Sequence, residues 1–219
     1  MTLQVRILPV TPLRQNCAIL ISDKAEAVIV DPGGDTQKIL NELQGLDVRA
    51  ILITHGHLDH AGGAADLRQA LTVKQKKNVP VWGPAKEDAF LLTTIESQGA
   101  AYGIPGLKNV VPDRYLEDGE TLSLLGHTIE VARVPGHTPG HVVYIDHEDK
   151  RAIVGDTLFR GTVGRTDFAY GNTKQLLQSI RQKLLSLPDE TLILSGHGLP
   201  TTVGEEKRNN RFFFANLTF

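Results

Sequence analysis

The sequence predicts an α/β layered sandwich, in which two mixed sheets face each other and helices cover their outer faces. Two observations lead there. Short β-branched runs bounded by Gly, Pro or Asp recur at 5–8, 18–21, 27–30, 50–53, 128–131, 142–145, 152–154 and 192–194, which is the pattern of strands. Helical periods lie between them in the first half, at 35–43 with Asp35 as N-cap, and following His60 to about 77. The middle third differs. There 122–125, 128–131 and 142–145 follow one another with little room for helix, so they read as antiparallel strands. A last helix over 173–185 carries apolar residues at 176, 177, 180, 184 and 185 and precedes the final strand. Each sheet then needs one face buried on the other and one face under helices. The stretch 96–120 is rich in Gly and Pro and poor in periodicity, and reads as an ordered loop lying over something functional.

Composition narrows the function. With 41% hydrophobic and 22% charged residues, the 219-residue chain can bury a full core as one domain. A formal charge of −2 and a pI near 6.4 provide no electrostatic footprint for nucleic acid. No run of about 18 apolar residues suits a membrane span, and no leader pattern opens the chain. The single cysteine, Cys17, sits in an apolar run and reads as a core residue. A cytoplasmic location is the expectation.

The strongest chemical signal is Thr54-His55-Gly56-His57-Leu58-Asp59-His60, directly after an apolar strand. Residues two apart on extended backbone point the same way, so His55 and His57 can grip one ion. Where the chain turns into helix, Asp59 and His60 project differently and can grip a second. Gly56 permits the close turn, and Gly62-Gly63 lets the helix pack near the site. Burying these groups without a cation would leave many polar atoms unpartnered, whereas divalent metal satisfies them together. Three further glycine-flanked segments end strands and contribute His137, Asp156 and His197. A carboxylate can bridge two cations, so Asp156 is the natural shared ligand, with His137 on one side and His197 on the other. His141 reads as a supporting residue and not as a ligand. His127 and His147 read as surface residues.

This ligand order resembles the metallo-β-lactamase superfamily: His-x-His-x-Asp-His, then one His, one Asp and one His. The resemblance implies a four-layer αββα sandwich over 1–219. It also implies His55, His57 and His137 on a first metal, Asp59, His60 and His197 on a second, and Asp156 bridging. Within the superfamily the chain resembles the glyoxalase II, or hydroxyacylglutathione hydrolase, family. Gln15-Asn16-Cys17, Asp31-Pro32-Gly33-Gly34, the run from Gly136 to His141 and Gly155-Asp156-Thr157-Leu158-Phe159 carry that likeness. Only the tail 198–219 follows His197, so the family's C-terminal helical domain is not expected. The resemblance implies two divalent ions, zinc before iron or manganese, and hydrolysis of a glutathione thioester such as S-lactoylglutathione. In that reaction Asp59 would orient the water. Arg165, in Gly164-Arg165-Thr166-Asp167-Phe168, matches a glutathione-contacting position. The same segment is similar to persulfide dioxygenases, which use one non-haem iron; that is the alternative, and a lactonase-type hydrolase a lesser one. Lys207, Arg208 and Arg211 in the tail form either a solvated face or a carboxylate-binding patch.

Overall fold

The computed structural model of the chain describes residues 2–213. Strands β1 (Gln4–Val10), β2 (Gln15–Ile21) and β3 (Glu26–Val30) form an antiparallel meander. Helix α1 (Thr36–Glu42) then crosses to β4 (Asp47–Leu52), which pairs parallel to β3. Helices α2 (Leu58–Ala61) and α3 (Ala64–Gln75) lead to the short parallel strand β5 (Val81–Trp82), completing a sheet in chain order. Helices α4 (Ala89–Leu92) and α5 (Ile95–Ala101) precede the second half.

That half holds β6 (Thr121–Leu124), β7 (His127–Arg133) and β8 (Val142–Asp146), antiparallel neighbours as their spacing predicts, and β9 (Arg151–Gly155), which pairs antiparallel with β8. A small hairpin, β10 (Leu158–Phe159) and β11 (Thr162–Val163), follows. Helix α6 (Thr173–Lys183) crosses over to β12 (Leu192–Ser195), which lies parallel to β9; β13 (Thr201–Thr202) and α7 (Val203–Asn209) follow.

Alternation of side chains along the strands creates the layers. Ala18, Leu20, Val28, Val30 and Leu52 point from the first sheet onto Leu122, Val131, Val142, Tyr144 and Leu194 of the second. The neighbours that alternate with them, Cys17, Ile19, Ile29 and Ile51, face the other way, onto Ile39 of α1 and Leu67 and Leu71 of α3. Val143, Ile145, Ala152 and Ile193 likewise meet Leu176 and Ile180 of α6. The result is the four-layer αββα sandwich. Each fully buried Ile or Leu contributes roughly 1.5–3 kcal/mol, so the three apolar layers hold both sheets in fixed register.

Several expectations need correction. The helix expected after His60 is α3, but a short helix not expected, α2, precedes it from Leu58, and Gly62 and Gly63 separate the two. Asp35 does sit at the N-cap position of α1, in left-handed conformation (φ 50°), but its side chain makes no capping bond; its carboxylate accepts the Thr11 amide at 2.9 Å. The stretch 96–120 is not wholly loop, since α5 occupies its start. Cys17 is fully buried, and burial pushes its thiol pKa up. His147 is exposed, but His127 is 3% exposed. Its Nδ1 lies 3.0 Å from Asp146, in a cluster with Asp149 and the Arg151 guanidinium that also ties down Leu3. A hairpin corner reads as exposed; two carboxylates and an arginine make it a buried ion-paired network.

Candidate metal centre

Every sequence-derived ligand comes to one edge of the sandwich. His55 and His57 follow β4, His137 lies in the β7–β8 turn, Asp156 follows β9 and His197 follows β12. Asp59 and His60 ride on α2, whose first turn places them beside Asp156. The β9–β12 register shifts between Leu194 and Ser195, and Ser195 pairs with Gly155, bringing the next residues of both strands together. Gly196 is required at that point, because a Cβ there would overlap Asp156 Oδ1 and the His60 ring.

Ligand atoms converge in two groups. His55 Nε2 and His137 Nε2 each lie 3.0 Å from His57 Nδ1. His137 Nδ1–H donates to the Arg165 carbonyl at 2.8 Å, so its Nε2 carries a lone pair. The Thr54 hydroxyl donates to Asp31 at 2.6 Å and can therefore accept His55 Nδ1–H at 3.1 Å, which leaves His55 Nε2 a lone pair too. His57 Nε2 faces the Tyr170 hydroxyl at 2.9 Å, freeing Nδ1. Three lone pairs aimed at one point repel unless a cation lies between them. Burial holds His55 and His57 far below the usual imidazole range, His57 at about 3, so protons do not fill that role near neutrality.

The second group is Asp59, His60 and His197, whose ligand atoms lie within 4.8 Å of one another. His197 Nε2 is 3.2 Å from Asp59 Oδ2 and 3.7 Å from Asp156 Oδ2. His60 donates Nδ1–H to Asp31 at 2.8 Å, turning Nε2 toward Asp156 Oδ1 at 3.3 Å, yet among the described residues neither of those two buried atoms has a hydrogen-bond partner. Burial pushes His60 down, but Asp156, Asp59 and Asp31 outweigh it and hold the ring well above the imidazole range. Asp156 also reaches the first group, with Oδ2 3.8 Å from His137 Nε2. The orphaned atoms and the crowded carboxylates fit two divalent ions sharing Asp156.

Residues 10–197 match the profile of the metallo-beta-lactamase superfamily. The chain belongs to that superfamily. It is 43% identical over 213 residues to hydroxyacylglutathione hydrolase GloC of Haemophilus influenzae, across 96% of this chain and 98% of that one. Among solved structures it is similar to the BLEG-1 B3 metallo-beta-lactamase (TM-score 0.87, 33% identity, 97% and 100% of the two chains). It is also similar to TTHA1623 in a di-iron-bound form (TM-score 0.84, 38% identity, 94% and 99%).

A cavity of about 310 Å³ opens on the centre of this superfamily member, lined by Asp59, His57, His137, Asp156 and His197 together with Phe168, Tyr170 and Arg165. Gln98 of α5 and Tyr102 directly after it join the lining, so the stretch expected to cover a site does so through a helix and its C-terminal end. Arg165 is exposed at the rim, forked onto Asp167 by two 2.7 Å bonds and lying over the Phe168 ring at 4.6 Å. Lys207, Arg208 and Arg211 are absent from that lining. Lys207 pairs with Asp189 at 2.7 Å, Arg208 lies 3.7 Å from Asp189, and Arg211 lies over Phe212. Lys207 and Arg208 thus belong to a charge-paired face, and Arg211 rests on an aromatic ring.

Sequence reasoning gave no role to Asp31 or Asp88. Asp31 was visible only as part of a motif, and Asp88 carried no signal. His141 behaves as expected: Asp156 N donates to its Nε2 at 3.1 Å, and its ring stacks on His55. Asp88 joins the two ligand-bearing loops, accepting Gly56 N at 2.9 Å, the Thr138 hydroxyl at 2.7 Å and Gly140 N at 2.6 Å. Gly56 serves close approach here, since a Cβ would lie 2.6 Å from Leu91 Cβ. Burial raises the Asp88 pKa to about 6 while the three donors pull it back. Asp88→Asn presents an NH₂ to at least one of those donors. It should cost about 1–3 kcal/mol of stability and weaken metal retention roughly tenfold or more, read by denaturant unfolding and chelator competition. An unchanged midpoint and unchanged metal retention would show that the two loops hold themselves.

Proposed function

We propose that the chain is a hydroxyacylglutathione hydrolase that converts S-lactoylglutathione and water to lactate and glutathione, using two divalent ions. The observation that carries this reading is the end-to-end likeness to the hydrolase GloC. The complete second group of Asp59, His60 and His197 supports two ions over the single iron of the dioxygenase alternative. Zinc suits the donor set; iron is the second choice, since the similar TTHA1623 was crystallised in a di-iron-bound form. The lone Cys17, buried and unpaired, accords with a cytoplasmic location.

His55, His57 and His137 would hold one ion, Asp59, His60 and His197 the other, and Asp156 both. Bound there, the pair lowers the pKa of water toward neutrality and offsets negative charge on a carbonyl oxygen. Burial pushes the Asp59 carboxylate up, but His60 and His197 outweigh that and keep it ionised. Its oxygens can therefore orient a water proton at the cavity floor. Phe168 and Tyr170, stacked at 5.2 Å, wall the cavity and exclude bulk water from the acyl carbon. As the hydroxyl oxygen bonds to that carbon, the C–S bond breaks and the sulfur keeps the electron pair. A thiol with pKa near 8.5 departs as thiolate without a general acid. The BLEG-1 likeness makes β-lactam opening a second reading. An amine leaving group does need a proton, so a lactam should turn over far more slowly than S-lactoylglutathione; the reverse order would favour the lactamase reading.

Arg165 is the proposed contact for a glutathione carboxylate, which would have to displace Asp167. Arg165→Ala should raise KM about three- to tenfold with kcat nearly unchanged. Asp167→Asn should act oppositely and lower KM, because it releases the guanidinium. If both substitutions leave KM unchanged, Arg165 is a loop residue with no part in binding.

A further inference from the structure

A second groove, of about 570 Å³, adjoins the metal centre on the far side of His197. Ile7 and Pro9 of β1, Leu13 and Arg14 of the β1–β2 turn, and Leu199 and Pro200 beyond His197 line it. Leu13 and His197 line both this groove and the cavity over the ligands. A ligand whose reactive carbonyl sits at the centre can therefore lay one arm on each side.

The groove is mainly apolar, and its rim residues Leu13 and Leu199 are 46% and 66% exposed. Arg14 is its charge. Among the described residues no ion pair or side-chain hydrogen bond is made by the Arg14 guanidinium, whereas Arg165 across the site is already forked onto Asp167. A guanidinium with no such partner, on a residue lining an apolar groove, suits a carboxylate on a hydrocarbon or peptide arm, which it can take in a two-pronged bond.

The turn is also built to stay in place. Arg14 holds φ 54°, a left-handed conformation in which Gly or Asn is commoner. Arg14 N donates to Thr11 O at 3.0 Å, Leu13 N to Thr11 Oγ1 at 3.2 Å, and Thr11 N to Asp35 at 2.9 Å. Two residues further on, Asn16 clasps the segment that carries His197: Nδ2 donates to Ser195 O at 3.1 Å and Gly198 O at 2.9 Å, and its amide to Gly196 O at 2.7 Å. The arginine and the histidine are thereby held in fixed relation.

We propose that this groove is a substrate subsite in which Arg14 anchors a carboxylate of the thioester, an inference that rests on the thioesterase reading above. The carboxylate could belong to the peptide arm or to the acyl arm. Three substrates separate these sources: S-lactoylglutathione, S-succinyl-N-acetylcysteamine, and S-lactoyl-N-acetylcysteamine, which has no carboxylate. In metal-loaded protein, Arg14→Gln should lower kcat/KM for one of the first two, relative to the third, about tenfold or more. The affected substrate identifies the arm, and Arg14→Lys should restore part of the loss. An unchanged ratio for both would overturn the subsite.

Calorimetry with S-(3-carboxypropyl)glutathione, a thioether that carries carboxylates on both arms and cannot be hydrolysed, gives a reading independent of turnover. Arg14→Gln should raise its Kd about tenfold; an unchanged Kd overturns the inference. Wild-type protein that hydrolyses none of the three thioesters yet shows the Kd difference would sink the thioesterase reading and leave the carboxylate subsite standing.

Discussion

Asp156→Ala is expected to empty both metal positions together and lower kcat/KM on S-lactoylglutathione by about a thousandfold or more. The carboxylate lies 3.3 Å from His60 Nε2, 3.7 Å from His197 Nε2 and 3.8 Å from His137 Nε2, so it belongs to both ligand groups at once. Without it, two cations face each other with less charge between them. Metal ions at such sites supply several kcal/mol of transition-state stabilisation, and 1.36 kcal/mol corresponds to tenfold in rate. His147→Ala is the control, since that ring is exposed and pairs with Glu130. Metal content per chain after gel filtration, with kcat/KM, provides the readout. Retention of two ions and near-normal turnover would show that Asp156 bridges nothing.

Asp31→Ala should be the most damaging change outside the ligand set. Its carboxylate accepts Thr54 N at 2.7 Å, the Thr54 hydroxyl at 2.6 Å and His60 Nδ1–H at 2.8 Å, so one group orients His60 directly and His55 through Thr54. Removing it strands buried donors, at about 1–3 kcal/mol each. Both imidazoles then lose the partner that fixes their orientation, which costs metal affinity about 10- to 100-fold. The expected result is a lower unfolding midpoint together with faster metal loss to a chelator. Lower stability with unchanged metal retention would confine Asp31 to a structural role.

The convergence of the candidate ligands was legible because four of them crowd into six positions and the rest sit beside glycines at strand ends. The groups that orient them were not. Asp31 and Asp88 are single carboxylates far along the chain from the groups they hold, and no local period marks them. Layering could be read from alternation, as in Cys17, Ile19 and Ile21 against Ala18 and Leu20. The break between α2 and α3 was harder, since apolar spacing continues through Gly62-Gly63 while the backbone turns there. His127 misled because hairpin corners are usually wet, and only the fold brings Asp146, Asp149 and Arg151 around it. Arg165 showed its sequence position but not its bond to Asp167; Arg14 showed nothing until the turn placed it beside His197.

The proposed enzyme is a two-ion thioesterase. Its most direct test is titration of metal-free protein with Zn²⁺ while S-lactoylglutathione hydrolysis is followed with and without oxygen. Activity should rise to a plateau at two ions per chain, release one glutathione per lactate and be the same under both atmospheres. A plateau at one ion, or turnover that appears only with iron and consumes oxygen, would contradict it.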